Sequence, residues 1–320
     1  MKVAAGILTE LGGMTSHAAV VARGMGVCAI TGCDTLSIDY AAGTATTVEN
    51  VVLKRGDIIT LDGTSGEVML GDIPKTEASS SDDFQLLLSW ADKHRRLKVR
   101  ANAETPQDAA KARELGAEGI GLVRTEHMFF DAERIDVMRA MILSETREER
   151  QRFLDELQVF QHDDMLELFK VMDGLPVTIR LLDPPLHEFL PHGDAEIDAL
   201  ARRIGKSADK VRDIANRLSE VNPMLGFRGC RLSVVYPEIT DMQVKAIISA
   251  AADAMDQGYK PLPEIMIPLV VNVREIRLIT EIIDKSIREV SQAKTVSVPY
   301  KIGTMMETPR ATLGANRLAS

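Results

Sequence analysis

One histidine lies where the local sequence could make it a phosphoryl acceptor. His17 follows a Gly-Gly pair and precedes a run of Ala and Val residues that ends at Gly24. Glycines allow a turn with unusual backbone angles, and either Thr15 or Ser16 could cap a helix that begins here. The pattern predicts a short helix with His17 in its first turn and Gly24 just past its end.

The predicted position of His17 favours a neutral, nucleophilic imidazole. Unpaired backbone N–H groups and the positive end of the helix dipole lie in the first turn of a helix. They disfavour an imidazolium cation and stabilise a dianionic group attached to the ring. A histidine near a Gly-rich turn is more commonly an ordinary surface or capping residue. The local pattern alone therefore leaves both interpretations open.

A second group of residues with matching chemistry falls at or after predicted strand ends: Arg124, Arg180, Arg228 and Glu307. In a barrel of parallel strands, the carboxyl ends of the strands face one opening. Guanidinium groups bind phosphate and carboxylate in a bidentate manner and stabilise a developing enolate. A carboxylate among them suits Mg²⁺, which takes one or two carboxylates together with substrate oxygens. One such arginine is more often a structural salt-bridge partner, but the coincidence of four residues favours a site.

The elements that would position this second group alternate between strand and helix from about residue 95. Five clear strands and a doubtful one are predicted, at 97–102, 119–124, 177–182, 224–232 (doubtful), 264–269 and 300–307. Strands separated by helices predict a parallel sheet, and the absence of a dinucleotide fingerprint disfavours a doubly wound fold. A closed barrel has eight strands, so we expect a barrel truncated by about two βα units.

The N-terminal residues predict a smaller β/α domain. A buried strand is expected at 27–32, further strands at 41–53, and a hairpin at 56–70 around a Gly-rich turn. That turn lacks the lysine and the following helix of a phosphate-binding loop. The polar, Ser-rich stretch at 72–84 is the best linker. We therefore divide the chain into a domain at 1–75, a linker at 76–95 and a barrel at 96–320.

Composition restricts the classes of partner. The 320 residues are 45% hydrophobic and 27% charged with a net charge of −9, which is typical of a globular protein of about two domains. The negative charge argues against nucleic acid or an anionic membrane as a partner. The three cysteines form no CxxC pair, which indicates a reducing compartment. Because neither a membrane span nor a signal peptide is evident, we expect a cytoplasmic protein.

Two regions resemble one enzyme family. The string GGMTSHAAVVARGMG around His17 resembles the phosphohistidine signature of the enzymes that interconvert phosphoenolpyruvate (PEP) and pyruvate. Four further stretches resemble the PEP-binding barrel of that family, namely GIGLVRTEHMFF, VTIRLLDPPLHEFLP, NPMLGFRGCRL and GTMMETPRA. The resemblance implies a partial swivelling phosphohistidine β/α domain followed by a truncated (β/α)8 TIM-type barrel. Other branches of the family typically have Arg where this chain has Met14, and in this respect the chain resembles the pyruvate, phosphate dikinase branch.

For the barrel, the resemblance implies that Arg124 and Arg180 bind PEP or pyruvate, that Arg228 assists, and that Glu307 ligates Mg²⁺. It also implies a second Mg²⁺ ligand and a cysteine acid that would come from sequence beyond position 320. Cys230 lies in a different motif, so we do not expect it to be that acid.

Three histidines of the barrel are not expected to do chemistry. His187 and His192 lie in a Pro-rich loop with poor spacing for metal binding. His162 is interpreted as part of a solvated helix start.

For the N-terminal domain, the resemblance implies that His17 carries a phosphoryl group and that Thr15 is a target of regulatory kinases, as in plant-type relatives. The dikinase reaction converts ATP, phosphate and pyruvate to AMP, pyrophosphate and PEP. ATP and phosphate would act only through a nucleotide-binding domain that we do not find in this chain, and the parent enzymes are typically homodimers. The alternatives are a PEP synthase, an Enzyme I-type phosphotransferase, or an inactive binding or regulatory fragment.

Overall fold

The computed structural model describes residues 4–13, 16–24, 26–74, 82–131, 133–191, 193–219, 222, 224 and 226–319. The chain divides into two compact units, Met1–His94 and Arg95–Ser320. The division falls within the predicted linker at 76–95. Thr15, His192 and residues 75–81 lie outside the described residues.

The first unit is built from short strands. Its strands are β1 (Gly6–Thr9), β2 (Cys28–Thr31), β3 (Leu36–Asp39), β4 (Thr44–Thr47), β5 (Val52–Lys54), β6 (Ile59–Asp62) and β7 (Glu67–Leu70). Its helices are α1 (His17–Gly24) and α2 (Asp82–Asp92). Strands β1 and β2 pair in parallel, β3, β4 and β5 form an antiparallel sheet, and β6 pairs antiparallel with β7. The strand predicted at 27–32 and the hairpin predicted at 56–70 are thus confirmed, while α2 forms inside the predicted linker.

The second unit contains a parallel sheet whose spatial order follows the chain. Its strands are β8 (Ala101–Asn102), β9 (Ile120–Arg124), β10 (Pro176–Arg180), β11 (Leu262–Ile267) and β12 (Lys301–Thr304). Every neighbouring pair is parallel. The parallel direction and the sequential order of the strands confirm the predicted α/β class, because strands of a (β/α) barrel follow one another in chain order.

Helices lie between these strands in the chain and follow the last of them. They are α3 (Pro106–Glu114), α4 (Ile135–Ile142), α5 (Arg147–Val171), α6 (Asp194–Ile204), α7 (Ala208–Leu218), α8 (Cys230–Val235), α9 (Pro237–Asp256), α10 (Val273–Lys294), α11 (Pro309–Leu313) and α12 (Ala315–Leu318). Short 3-10 turns follow β9 at Thr125–Phe129 and follow β10 after a short loop at Leu186–Phe189. Among the described residues, no helix combines the length and apolar character needed to cross a membrane.

The doubtful strand at 224–232 was predicted wrongly. Its C-terminal part belongs to helix α8, and β10 pairs directly with β11. Gly229 turns the chain with φ of 58° and ψ of −131° immediately before the helix. A short apolar run has no clear period, so the sequence could not distinguish a strand from a short buried helix here.

The interpretation of His162 was also wrong. The residue lies inside the long helix α5, which begins at Arg147 after the cap Thr146. The His162 side chain is only 22% exposed, and its Nε2 lies 2.9 Å from Asp253 Oδ2 on α9. The histidine therefore joins two packed helices instead of facing solvent at a helix end.

One face of the parallel sheet forms the main core. In β10, Val177 and Ile179 are fully buried and pack in one apolar cluster with residues of α5, α9 and α10. Because side chains alternate across a strand, the intervening Thr178 and Arg180 lie on the opposite face. A second apolar cluster joins α4, the first half of α5, α6 and α7. The helices thus cover one face of the sheet and leave the other face for polar groups.

A polar layer crosses that opposite face around Glu264 of β11. Its carboxylate accepts hydrogen bonds from the Arg100 guanidinium, from Thr178 Oγ1 at 2.8 Å and from Lys301 Nζ at 3.3 Å. The Arg100 hydrogen bond is the main cause that lowers the pKa of Glu264 to about 2, against the opposing effect of burial. Segments from four parts of the chain therefore meet at one carboxylate.

Substituting Glu264→Gln should lower the free energy of unfolding at pH 7 by about 1–3 kcal/mol, because Arg100 loses its charged partner. The native pKa lies below the usual value of 4.5, so the ionised group stabilises the fold above that pH. This stabilisation is lost as the pH falls towards 2, so parent and variant should converge in acid. Urea unfolding at several pH values measures the difference.

Glu114→Gln is the matched control, because Glu114 pairs with Lys111 on the surface with 68% of its side chain exposed. Its effect should stay below about 0.5 kcal/mol. Equal effects of the two substitutions, or a Glu264 effect that does not change with pH, would contradict the assignment.

Candidate active site

His17 is the first residue of helix α1. Ser16 caps the helix, since its Oγ accepts a hydrogen bond from the Ala19 N–H at 3.3 Å and its carbonyl accepts one from Val20 N–H at 3.0 Å. Ala19 and Ala22 are buried and hold the helix to the unit, while His17 is exposed. The prediction of a helix with His17 in its first turn is confirmed, and the imidazole is open to a reactant.

The turn that leads to His17 rests on the backbone at the end of β2. Gly32 has φ of +76°, and a Cβ at this position would lie 2.2 Å from the carbonyl oxygen of Gly12. Next to it, the Cys33 N–H donates to the Thr9 carbonyl at 3.0 Å. Only glycine allows this close approach. Gly32 was not predicted as a key residue, and its position directly after a predicted strand is the one signal in the sequence.

Arg124 and Arg180 end neighbouring strands and are aligned in the register of β9 and β10. Arg124 is half-buried and forms an ion pair with Glu104. Arg180 is buried, with 8% of its surface exposed, and forms an ion pair with Glu126. The structure therefore places both arginines at the carboxyl ends of neighbouring parallel strands, where they were predicted.

Asp183 connects Arg180 with Arg228. One oxygen, Oδ2, lies 2.8 Å from Arg180 Nη1 and 2.6 Å from Arg228 Nη2, and Oδ1 accepts from Arg228 Nε at 3.3 Å. Asp183 is 1% exposed. The Gly229 N–H also donates to the Asp183 carbonyl at 2.9 Å. Arg228 thus joins the site through a shared carboxylate, although the described residues just before it form no strand.

Glu307 follows β12 in a loop that borders the same group. Its Oε1 accepts a hydrogen bond from the Leu269 N–H at 2.7 Å. Leu269 also packs closely on Gly229, because a Cβ added to this glycine would lie 2.7 Å from the Leu269 Cβ. Two residues before Glu307, the Met305 sulfur lies 3.8 Å from Arg180 Nη1. All four predicted residues of the barrel therefore converge at the carboxyl edge of the sheet.

The acids that hold the arginines were missed by the sequence analysis. They are Glu104, Glu126 and Asp183. Two of them were visible as acids two or three residues after Arg124 and Arg180. At the centre of the cluster, Arg180 Nε and Glu126 Oε2 are buried without a hydrogen-bond partner. A buried polar atom without a partner is costly, so the site is suited to a polar ligand or water.

Of the acids at this edge, Glu104, Glu126 and Asp183 are paired with arginines, which leaves Glu307 as the candidate metal ligand. The part of the chain that the structure describes contains no group of three or more His, Cys, Asp or Glu residues placed to hold a metal. Glu307 uses Oε1 for Leu269, which leaves Oε2 as an oxygen donor. One carboxylate oxygen is compatible with Mg²⁺, which commonly binds one or two protein carboxylates and completes its coordination with substrate oxygens and water.

Cys230 lies close to the site but is buried away from it. Its thiol donates to the Leu269 carbonyl at 3.2 Å. Burial, aided by the charge of Glu275, raises the pKa of Cys230 to about 12. The thiol therefore stays protonated at neutral pH and donates its hydrogen to a backbone carbonyl inside the core.

The contact of Gly32 with Gly12 predicts an asymmetric effect of two alanine substitutions. Gly32→Ala should lower the free energy of unfolding of the first unit by more than about 2 kcal/mol, because it adds a steric clash to the cost of a left-handed backbone. Gly43→Ala is the matched control, since Gly43 has φ of +64° but open space around its Cβ position. It should cost only about 1–2 kcal/mol. Chemical denaturation monitored by amide exchange of the first unit compares the two, and equal losses would contradict the proposed contact.

Two family profiles match successive parts of the chain. The profile described as PEP-utilising enzyme, mobile domain, matches residues 1–66. The profile described as PEP-utilising enzyme, PEP-binding domain, matches residues 78–320. The second profile contains the arginine cluster, and the first contains His17.

Several relatives are similar over the whole chain. Pyruvate, phosphate dikinase 1, chloroplastic, of Arabidopsis thaliana is 50% identical over 321 residues, which cover 100% of this chain and 33% of that protein. The pyruvate, phosphate dikinases of Rhizobium meliloti and Clostridium symbiosum are 50% and 48% identical over 320 residues, each covering 100% of this chain and 36% of the relative. The chain spans about a third of the length of these curated relatives. By its two matching domains and this identity, the chain belongs to the family of PEP-utilising enzymes.

Proposed function

We propose that this chain carries the phosphohistidine and the PEP-binding arginines of a pyruvate, phosphate dikinase, a phosphotransferase. The observation that carries the proposal is the Asp183-bridged pair of Arg180 and Arg228 beside Arg124 at one sheet edge. The relatives named above are all dikinases, which favours this branch over a PEP synthase or an Enzyme I-type protein. The parent reaction would convert ATP, phosphate and pyruvate to AMP, pyrophosphate and PEP.

The chemistry of PEP matches the arginine cluster. PEP carries a carboxylate and a phosphate, and planar guanidinium groups bind both kinds of anion with paired hydrogen bonds. Arg180 Nε, which is buried and has no partner, would donate to one substrate oxygen. Arg124 is half-buried and would reach the more exposed end of the substrate. The arginines would thereby hold the substrate and stabilise negative charge on its bridging oxygen.

In the proposed transfer, a ring nitrogen of His17 attacks the phosphorus of PEP. The bond between phosphorus and the enol oxygen breaks, its electron pair stays on that oxygen, and the product is the enolate of pyruvate. The helix N-terminus at His17 stabilises the dianionic phosphoryl group on the ring. Such a transfer depends mainly on positioning and charge neutralisation, which the helix end and the arginines would provide.

Mg²⁺ is proposed as the cofactor, held at Glu307. When bound, it would neutralise charge on the substrate phosphate and enol oxygens. Glu307 would contribute Oε2 while its Oε1 remains bonded to Leu269. The assignment of one protein ligand is supported by the described residues, which contain no group of three or more His, Cys, Asp or Glu side chains placed to hold a metal.

The remaining proposals concern the longer protein that the relatives represent. ATP and phosphate would act through a nucleotide-binding domain, and the assembled enzyme would be a homodimer. A cytoplasmic location is proposed from the three unpaired cysteines, although the Arabidopsis relative is named chloroplastic. Thr15, which lies outside the described residues, is proposed as a regulatory phosphorylation site.

Incubation of the chain with ³²P-labelled PEP and Mg²⁺ tests the proposed carrier. We expect a label that is stable in base and labile in acid, as is characteristic of phosphohistidine. His17→Asn should abolish the label, because the nucleophile is removed. Arg180→Met should reduce the initial rate by about two orders of magnitude, because a positioned cation is lost.

His94→Asn is the control, since His94 is another exposed histidine of the first unit and should have no effect. Labelling that survives His17→Asn would refute the carrier assignment. Binding of PEP without any label would instead support the alternative of a binding or regulatory module.

A further inference from the structure

Gln243 of helix α9 contacts the segments that follow both proposed substrate arginines. Its Nε2 donates to Thr125 Oγ1 at 2.9 Å, and its Oε1 accepts from the Leu182 N–H at 2.8 Å. Thr125 directly follows Arg124, and Leu182 lies two residues after Arg180. We propose that Gln243 is a positioning residue that fixes the spacing of Arg124 and Arg180 for PEP, an inference that rests on the proposed function.

The hydrogen bonds of the sheet do not hold together the segments that follow Arg124 and Arg180. Arg124 and Arg180 are the last aligned pair of β9 and β10. After this pair the Leu181 N–H donates to the Met266 carbonyl at 3.0 Å, so the chain continues along β11. The chain after β9 instead enters the 3-10 turn that begins at Thr125. The two segments therefore diverge where the guanidinium groups must be held, and the Gln243 amide bridges them.

The bridge also orients the carboxylate that holds Arg180. Glu126 lies next to Thr125 in the 3-10 turn and forms its ion pair with Arg180. Fixing Thr125 to α9 therefore fixes the start of the turn that aims Glu126. A displacement of about 1 Å in a binding group can cost a large factor in reactivity. Gln243 would act through Arg180 and Arg124 without touching the substrate.

An amide is the side chain suited to this position. Gln243 is 1% exposed, and Thr125 is fully buried. The carboxamide supplies an acceptor for the Leu182 N–H and a donor for Thr125 Oγ1, and unlike a carboxylate it adds no charge to a buried position. The neighbours Met242 and Val244 are buried and apolar, so water cannot replace a hydrogen bond that Thr125 or Leu182 loses here. Loss of the amide should leave the Leu182 N–H unpaired.

The chain contains a matched control for this residue. Gln161 of α5 is also a glutamine in a helix of the second unit, and it is fully buried. Both polar atoms of its side chain lack a hydrogen-bond partner in the structure. Substitution of Gln161 therefore removes a buried amide of the same size that bridges nothing near the arginines.

Calorimetric titration of PEP into the 320-residue chain tests the inference. Gln243→Met should weaken PEP binding by about tenfold, the lower end of the loss seen when a group that orients a metal ligand is removed. Gln161→Met should bind PEP like the parent. Thr125→Val should weaken binding like Gln243→Met, and Thr125→Ser should restore it because the hydroxyl acceptor returns. Unchanged affinity in Gln243→Met and Thr125→Val would overturn the inference.

A coupling measurement separates positioning from a general loss of stability. In an Arg124→Lys background, Gln243→Met should have a smaller effect on PEP affinity, because one of the two groups that it positions has already been altered. A purely structural role would give the same fold-change in both backgrounds. That result would overturn the inference.

Hydrogen exchange supplies a readout that does not depend on PEP. The Leu182 amide should be protected in the parent and should exchange faster in Gln243→Met, whereas Gln161→Met should leave it protected. If the parent fails to bind PEP, the proposed function fails and Leu182 exchange decides the bridge separately. Unchanged protection in Gln243→Met would refute the bridge whatever the binding data show.

Discussion

The second unit depends on one buried carboxylate that two arginines share. Asp183 is 1% exposed, and its oxygens contact both Arg180 and Arg228. A buried carboxylate is tolerated only when charged partners and hydrogen bonds compensate for lost hydration, and removal of one partner of such a pair costs about 3–5 kcal/mol. This requirement draws the loop that carries Arg228 towards the end of β10. It also places Gly229 against Leu269, whose N–H holds Glu307. Residues that are distant in the chain thus become one site because a single charge must be neutralised.

The two units position their functional groups by different physical means. In the first unit the constraint is steric: Gly32 lets the turn before His17 lie against the backbone, and buried alanines fix the helix. In the second unit it is electrostatic, because each guanidinium group is oriented by a carboxylate. The difference suits the proposed roles. An exposed imidazole that must meet a reactant needs an accurate helix end, whereas an anion site needs several cations held together in spite of their mutual repulsion.

Much of this arrangement could be predicted from local patterns. Alternation of strands and helices indicated the parallel sheet, and the ends of strands indicated Arg124 and Arg180, because the carboxyl edge of such a sheet collects loops. Patterns failed where the decisive contact is not local. The run near Cys230 is too short to show a period, and His162 is partly buried only because α9 packs on α5. Gln243 meets partners 61 and 118 residues away, which no local signal reveals.

We propose that buried carboxylates hold the arginines in a geometry that binds PEP, and calorimetric titration of PEP into Asp183→Asn tests this arrangement. Asn keeps the shape but removes the charge that orients Arg180 and Arg228, so we predict weaker binding than in the parent. Asp209→Asn, at a position where 92% of the side chain is exposed, should leave binding unchanged. If Asp183 merely competes with the substrate for the guanidinium groups, its neutralisation will release positive charge and PEP will bind more tightly. Tighter or unchanged binding in a folded Asp183→Asn chain would contradict the claim.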